Sequence, residues 1–153
     1  MRNGYLHRAI REQGGAYGGG ASQDAGSASF RFFSYRDPRL QETLADFDAA
    51  IDWVISTEHK PHQLEEAILG VIASLDKPAS PAGEAKQAYF NQVFGRTLEH
   101  RGQFRKQVLG TTISDLKRVA EQYLVPDRAS IGIICNKESA ESLNIDNIEI
   151  INL

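Results

Sequence analysis

The stretch Gly14-Gly15-Ala16-Tyr17-Gly18-Gly19-Gly20 limits what this 153-residue chain can fold into more than any other segment. Glycine pays the largest backbone entropy and offers no side chain to pack, so a helix entering the stretch must stop. Upstream, Leu6 and Ile10 share one helical face, and the spacing predicts a short helix ending near Gln13. Downstream, Ser27 to Tyr35 alternates and carries aromatic residues, with Gln23-Asp24-Ala25-Gly26 as turn chemistry before it. The expected result is a β-hairpin from Gly15 to Tyr35 whose first strand is glycine-rich.

Beyond the hairpin the pattern becomes helical. Asp37-Pro38 reads as a helix start, with Asp37 as N-cap and Pro38 at the first helical position; Leu40, Leu44, Phe47, Ile51 and Val54 then follow at steps of four and three. Leu64, Ile68, Ile72 and Leu75 mark a second helix between Pro61 and Asp76, and Ser80-Pro81 opens a third that carries Tyr89, Val93 and Phe94 up to Gly95. Phe104 and Val108 mark a short fourth, ended by Gly110. Thr112-Ile113-Ser114-Asp115 has the capping-box pattern and opens a helix with the stripe Leu116, Val119, Ala120 and Tyr123, which Pro126 ends. After Asp127 the period becomes extended, so Ala129 to Cys135 and Ile148 to Ile151 are expected as strands around a polar connection. This order lacks strict βαβ alternation. It predicts an α+β fold, an antiparallel or mixed sheet with helices packed on one face, in a single domain spanning residues 1–153. A hydrophobic content of 41% is enough for one core of that size.

Charge argues against two partner classes. With 24% charged residues and a formal net charge of −3, the chain has no basic excess for nucleic acid or an anionic membrane. No apolar run approaches the roughly 20 residues of a membrane helix, and the N-terminus lacks a signal-peptide core. The single cysteine, Cys135, lies in the apolar run Ile131-Gly132-Ile133-Ile134-Cys135 and reads as a buried structural thiol in a reducing compartment.

Few residues offer chemistry. A phosphate cradle at Gly14 to Gly20 would need a strand before it and a helix N-terminus after it; here a helix precedes and a strand follows, so a strand that lets a neighbour approach closely is the better reading. His59 and His62 are split by Pro61 at a helix entry, which spoils the geometry of a metal pair, and His7 and His100 are isolated. There is no cysteine pair, no His-Glu-x-x-His and no Gly-x-Ser-x-Gly. Arg11 and Tyr17 remain. They flank the Glu12-Gln13-Gly14-Gly15-Ala16 connection and converge if the chain turns sharply there; the one offers a fork of donors for a carboxylate or peptide carbonyl, the other a hydroxyl for a developing oxyanion. Taken alone, an exposed arginine and a half-buried strand tyrosine are the commoner explanation.

Three blocks nevertheless stand in a telling order: Gly4-Tyr5-Leu6-His7, then Ile10-Arg11-Glu12-Gln13-Gly14-Gly15-Ala16-Tyr17-Gly18, then Ser34-Tyr35-Arg36-Asp37-Pro38 leading into the Leu40/Leu44/Phe47 helix. In these blocks the chain resembles the pitrilysin or insulinase superfamily of zinc metallopeptidases, in its presequence-protease branch, with a fainter likeness through Arg101 to Leu109 and the terminal segments. The resemblance implies a C-terminal, partial domain of the mitochondrial-processing-peptidase-like metallohydrolase fold, in an enzyme whose two homologous halves close a chamber. It implies no cofactor in this chain, with zinc held by the N-terminal half through His-x-x-Glu-His and a distant Glu. It also implies that Arg11 clamps the peptide and Tyr17 donates to the oxyanion, so both are catalytic and substrate-binding residues. The implied partners are the N-terminal zinc-binding half and a short unstructured peptide. Family domains carry further strands and a helix before the position of Gly4. The chain alone is therefore expected to be inactive and to self-associate through an open sheet edge. Family habit and the lone cysteine suggest a bacterial cytoplasmic setting. The alternative is a non-catalytic structural or interaction subunit of the same fold, against which the Arg11 and Tyr17 pair argues; a phosphate-ligand module is the weakest reading.

Overall fold

The computed structural model describes residues 4–24, 26–143, 145 and 149–151. The chain divides into two compact units, Met1–Thr57 with Val119–Leu153, and Glu58–Arg118. Each is described by itself.

In the first unit a short helix ends in a π-helical stretch, His7–Gln13, followed by strands β1 (Gly18–Asp24) and β2 (Ser29–Tyr35) and helix α1 (Gln41–Ser56). The strands pair antiparallel, with Gly18 opposite Tyr35, Ala21 opposite Phe32 and Asp24 opposite Ser29. At the turn, Asp24 accepts the Gly26 N–H at 2.8 Å, the local side-chain bond that aspartate brings to tight turns. The core lies between the hairpin and the two helices: Leu6, Ile10, Ala16 and Ala50 are buried, with Tyr5, Ala21, Phe32 and Phe47 packed around them. Ile10 is fully buried. Gly19 makes room for it, since a Cβ there would stand 2.9 Å from Ile10 Cγ2. Phe32 stacks on Phe47 with centroids 5.3 Å apart, which ties β2 to α1.

The α+β class is what the structure has, a helix-rich chain with a two-stranded antiparallel sheet. Several expectations fail within this unit. Asp37 is not the N-cap of α1, which begins at Gln41 after Leu40; its carboxylate is taken up by other donors, described below. Residues 129–135 form no strand. Among the described residues they have no paired neighbour, and 129–132 border a cavity of about 450 Å³ beside Phe30, Phe32, Phe47 and Ile51. A β-pattern becomes a strand only where another strand supplies ladder partners. Cys135 is accordingly exposed rather than buried. Of the last expected strand, Ile148 lies outside the described residues and 149–151 have no regular structure. Part of the region read as a polar connection instead forms a short helix, α6 (Lys137–Glu141), capped by Asn136 accepting the Ser139 N–H at 2.8 Å.

The second unit contains α2 (Pro61–Leu75), α3 (Pro81–Val93), α4 (Leu98–Leu109) and the start of α5 (Ile113–Tyr123), at the boundaries that the proline and glycine signals predict. Ser80 caps α3 by accepting the Gly83 N–H at 3.2 Å. Thr112 and Asp115 form the expected capping box: Thr112 Oγ1 accepts the Asp115 N–H and Asp115 Oδ2 accepts the Thr112 N–H, both at 3.1 Å. Arg105 of α4 pairs with Asp76 at the end of α2. Among the described residues α3 and α4 bury no side chain.

Among those residues β1 and β2 pair only with each other, so each has an outer edge with free ladder groups. The isolated chain is expected to self-associate by strand pairing at such an edge. Light scattering over a concentration series should show a mass that rises with concentration; a constant monomer mass contradicts this.

Candidate functional site

The connection between the π-helical stretch and β1 turns sharply. The Gly15 N–H donates to the Arg11 carbonyl at 3.2 Å and the Ala16 N–H to the Ile10 carbonyl at 3.1 Å, which folds the chain back over the helix end. Ala16 is buried, while Arg11 before the turn and Tyr17 after it are both exposed, Tyr17 at 62%. The sharp turn on which their convergence depends is present. No hydrogen bond or ring contact joins the two among the described residues. Tyr17 instead meets Tyr35, with centroids 5.7 Å apart and planes at 60°, and the Arg36 guanidinium, 5.2 Å from its ring centroid. Its backbone N–H donates to the Arg36 carbonyl at 3.2 Å. The tyrosine is thus neither half-buried nor in a strand. It stands just ahead of β1, and its hydroxyl makes no hydrogen bond within the described chain.

Two side chains hold this turn, Arg39, which the sequence reading did not single out, and Asp37, which it took for a helix cap. Arg39 Nη2 donates to the Ala9 carbonyl at 3.2 Å and to Asp46 Oδ2 at 2.9 Å, joining the π-helical stretch to α1. It can approach only because residue 14 is glycine: a Cβ there would lie 1.9 Å from Arg39 Nη2 and 2.5 Å from the Ile10 carbonyl oxygen. Arg39 Nε is buried without a partner, an unsatisfied donor tolerated beside two charge-assisted or carbonyl bonds. Asp37 is the second. Its Oδ2 accepts from Ser34 Oγ at 2.5 Å and from Thr43 Oγ1 at 2.7 Å, and its Oδ1 accepts the Arg39 N–H at 3.0 Å. Burial opposes its ionisation, but the bonds from Ser34, Arg39 and Thr43, with the Arg39 charge, outweigh it and hold the carboxyl below its ordinary value. The signal for both was present in Ser34-Tyr35-Arg36-Asp37-Pro38-Arg39, but Asp-Pro before an apolar run imitates a helix cap so well that the competing donors went unread.

The described residues contain no group of three or more His, Cys, Asp or Glu able to hold a metal ion. The phosphate reading also loses its context, since the glycines lead from a helix into β1 rather than from a strand into a helix. What approaches them closely is the chain's own Arg39, Tyr35 and Ile10.

Comparison with known proteins bears on the resemblance. A family described as the PreP C-terminal domain matches residues 1–135. A protein named mitochondrial presequence protease from Yarrowia lipolytica is 43% identical over 121 residues, covering 79% of this chain and 12% of that protein. Its namesake from Schizosaccharomyces pombe is 35% identical over 139 residues, 91% of this chain and 14% of the relative. One from Xenopus tropicalis is 35% identical over 128 residues, 84% and 12%. The chain spans about an eighth of the length of these relatives. Their names place those proteins in mitochondria of fungi and a vertebrate, which overturns the bacterial cytoplasmic setting. A lone cysteine speaks only to redox conditions, and not to which reducing compartment supplies them.

Asp37 carries a pH signature with a definite sign. Its carboxyl is depressed below 3.8, so its stabilisation is fully present above that value and lost as pH falls through the folded-state pKa. Asp37→Asn is expected to destabilise the chain by about 1–3 kcal/mol at neutral pH, since two hydroxyl donors and one N–H lose a charged acceptor. Denaturant titrations from pH 7 to pH 3 should show the gap between the two proteins narrowing on the acid side. A gap that widens with acid contradicts the assignment.

Proposed function

This chain belongs to the PreP C-terminal domain family, and on that premise we propose that it is the C-terminal, substrate-contacting part of a mitochondrial peptidase that degrades short unstructured peptides. In this reading Arg11 and Tyr17 face the peptide bond being cleaved. The observation that carries it is their placement: both are exposed, on either side of a turn locked by Arg39 and by the buried Ala16. An arginine whose side chain has no partner among the described residues is free to clamp a peptide carbonyl or carboxylate with its planar fork. A tyrosine whose hydroxyl makes no internal bond is free to donate to the oxygen that gains charge when the carbonyl is attacked. The zinc that such a peptidase uses belongs, in the same proposal, to the N-terminal half of the longer protein, which is this chain's principal partner. Water activation is that half's task; this chain's task is to orient the peptide and stabilise charge.

Such a division of labour makes the isolated chain unable to cleave peptides. In the full-length protein, Tyr17→Phe is expected to lower kcat by roughly 10²-fold while leaving KM nearly unchanged, because an oxyanion donor acts in the transition state rather than in the ground state. Steady-state kinetics on an unstructured peptide reads both constants. An unchanged kcat would remove Tyr17 from the reaction and favour a non-catalytic, structural role for the domain.

A further inference from the structure

We infer that Arg36 is the positioning residue for Tyr17, the group that fixes where its phenol points; the inference rests on the reading of Tyr17 as an oxyanion donor. Arg36 occupies the left-handed region at φ +48°, where a side chain is strained and glycine or asparagine would serve the turn at less cost. Ala28 in the hairpin turn takes the same conformation at φ +51°, so the backbone alone does not single out Arg36; its contacts do. The Arg36 side chain has no carboxylate partner among the described residues. Its guanidinium lies 5.2 Å from the Tyr17 ring centroid, and its carbonyl accepts the Tyr17 N–H at 3.2 Å. One residue therefore grips Tyr17 by both backbone and ring.

The neighbouring tyrosine completes the seat. The ring of Tyr35 lies against residue 18, where a Cβ would come within 2.6 Å of its hydroxyl oxygen and 2.7 Å of its ring carbons, so any larger residue there would push the ring aside. From there it meets the Tyr17 ring at 5.7 Å. A planar cation over an aromatic ring restrains the ring and leaves the hydroxyl at its edge free to donate. Arg11 makes no such contact. The two arginines thus have separate tasks, Arg11 toward the peptide and Arg36 toward Tyr17.

The test is kinetic and spectroscopic, on the full-length protein. Arg36→Gly suits the left-handed backbone, so it should fold with a melting temperature no lower than that of the parent. It is expected to lower kcat about 2- to 5-fold, which is the worth of an exposed cation–π contact expressed as a rate ratio, with KM unchanged. Arg36→Lys should recover part of the loss. In a Tyr17→Phe background, Arg36→Gly should add no further loss, because there is no hydroxyl left to place. An equal loss in that background, or a loss that appears in KM, overturns the inference by making Arg36 a direct peptide contact or a purely structural residue. If Tyr17→Phe lowers kcat and Arg36→Gly does not, the inference fails while the reading of Tyr17 stands. If Tyr17→Phe is silent, that reading fails. A second measurement then still decides on Arg36: with fluorotyrosine at position 17, Arg36→Gly should shift and narrow the fluorine resonance, and an unmoved resonance overturns the positioning role.

Discussion

Asp37 lies where three segments of the chain meet, and its carboxylate accepts a hydrogen bond from each: Ser34 at the end of β2, the Arg39 N–H in the connection, and Thr43 in the first turns of α1. Thr43 is buried, so its hydroxyl has no recourse to water if that acceptor is lost. With the backbone of residue 39 held in this way, the Arg39 side chain is directed back to Ala9 and across to Asp46. The helix end that carries Arg11 and the turn that delivers Tyr17 are thereby tied to α1. A neutral amide at position 37 would leave every backbone segment its local structure and remove what registers one against another.

Glycine and arginine divide the work along this route. At positions 14, 18 and 19 a missing side chain admits, in turn, the Arg39 guanidinium, the Tyr35 ring and Ile10. The glycine-rich run is therefore built for close approach by the chain itself, and the pattern that suggests a ligand loop reports tight internal packing instead. Each arginine enters the space so made or covers its rim. Arg39 bonds inward to a carbonyl, Arg36 stacks outward on an aromatic face, and the Arg11 side chain has no partner among the described residues.

Local signals were legible in the sequence wherever a local cause decides the structure. Pro61, Ser80-Pro81, Gly110 and the Thr112–Asp115 box each set a helix end by interactions within a few residues, and all were readable. The hairpin was readable because alternation and turn chemistry agree. Asp37-Pro38 misled because the aspartate's partners, Ser34 and Thr43, sit on either side of it and outcompete the capping geometry. Residues 129–135 misled for a different reason, since a strand is a relation between two segments and this one has no ladder partner among the described residues. The exposure of Cys135 follows from the same absence of pairing. The candidates Arg11 and Tyr17 come from the motif, whereas the role proposed for Arg36 does not, because a left-handed arginine leaves no mark in sequence that distinguishes it from any other.

Exposure alone does not set Tyr17 apart in this chain, and a comparison within it shows how its seat differs from another. Phe94 is as exposed as Tyr17, both at 62%, and it too lies under an arginine, with the Arg96 guanidinium 5.2 Å from its centroid. The two seats differ in their backbone and in their chemistry. Phe94 ends a helix just before Gly95, which takes the left-handed conformation that glycine adopts without strain, whereas at Arg36 a side chain is retained in that conformation. Phe94 presents a hydrocarbon edge, while Tyr17 presents a hydroxyl with no partner among the described residues, and of the two only a hydroxyl can donate a hydrogen bond. Holding an exposed ring in place is useful when the ring carries a group that must point somewhere. Tyr17 meets both conditions; Phe94 meets the first alone, and so reads as a surface contact of its helix.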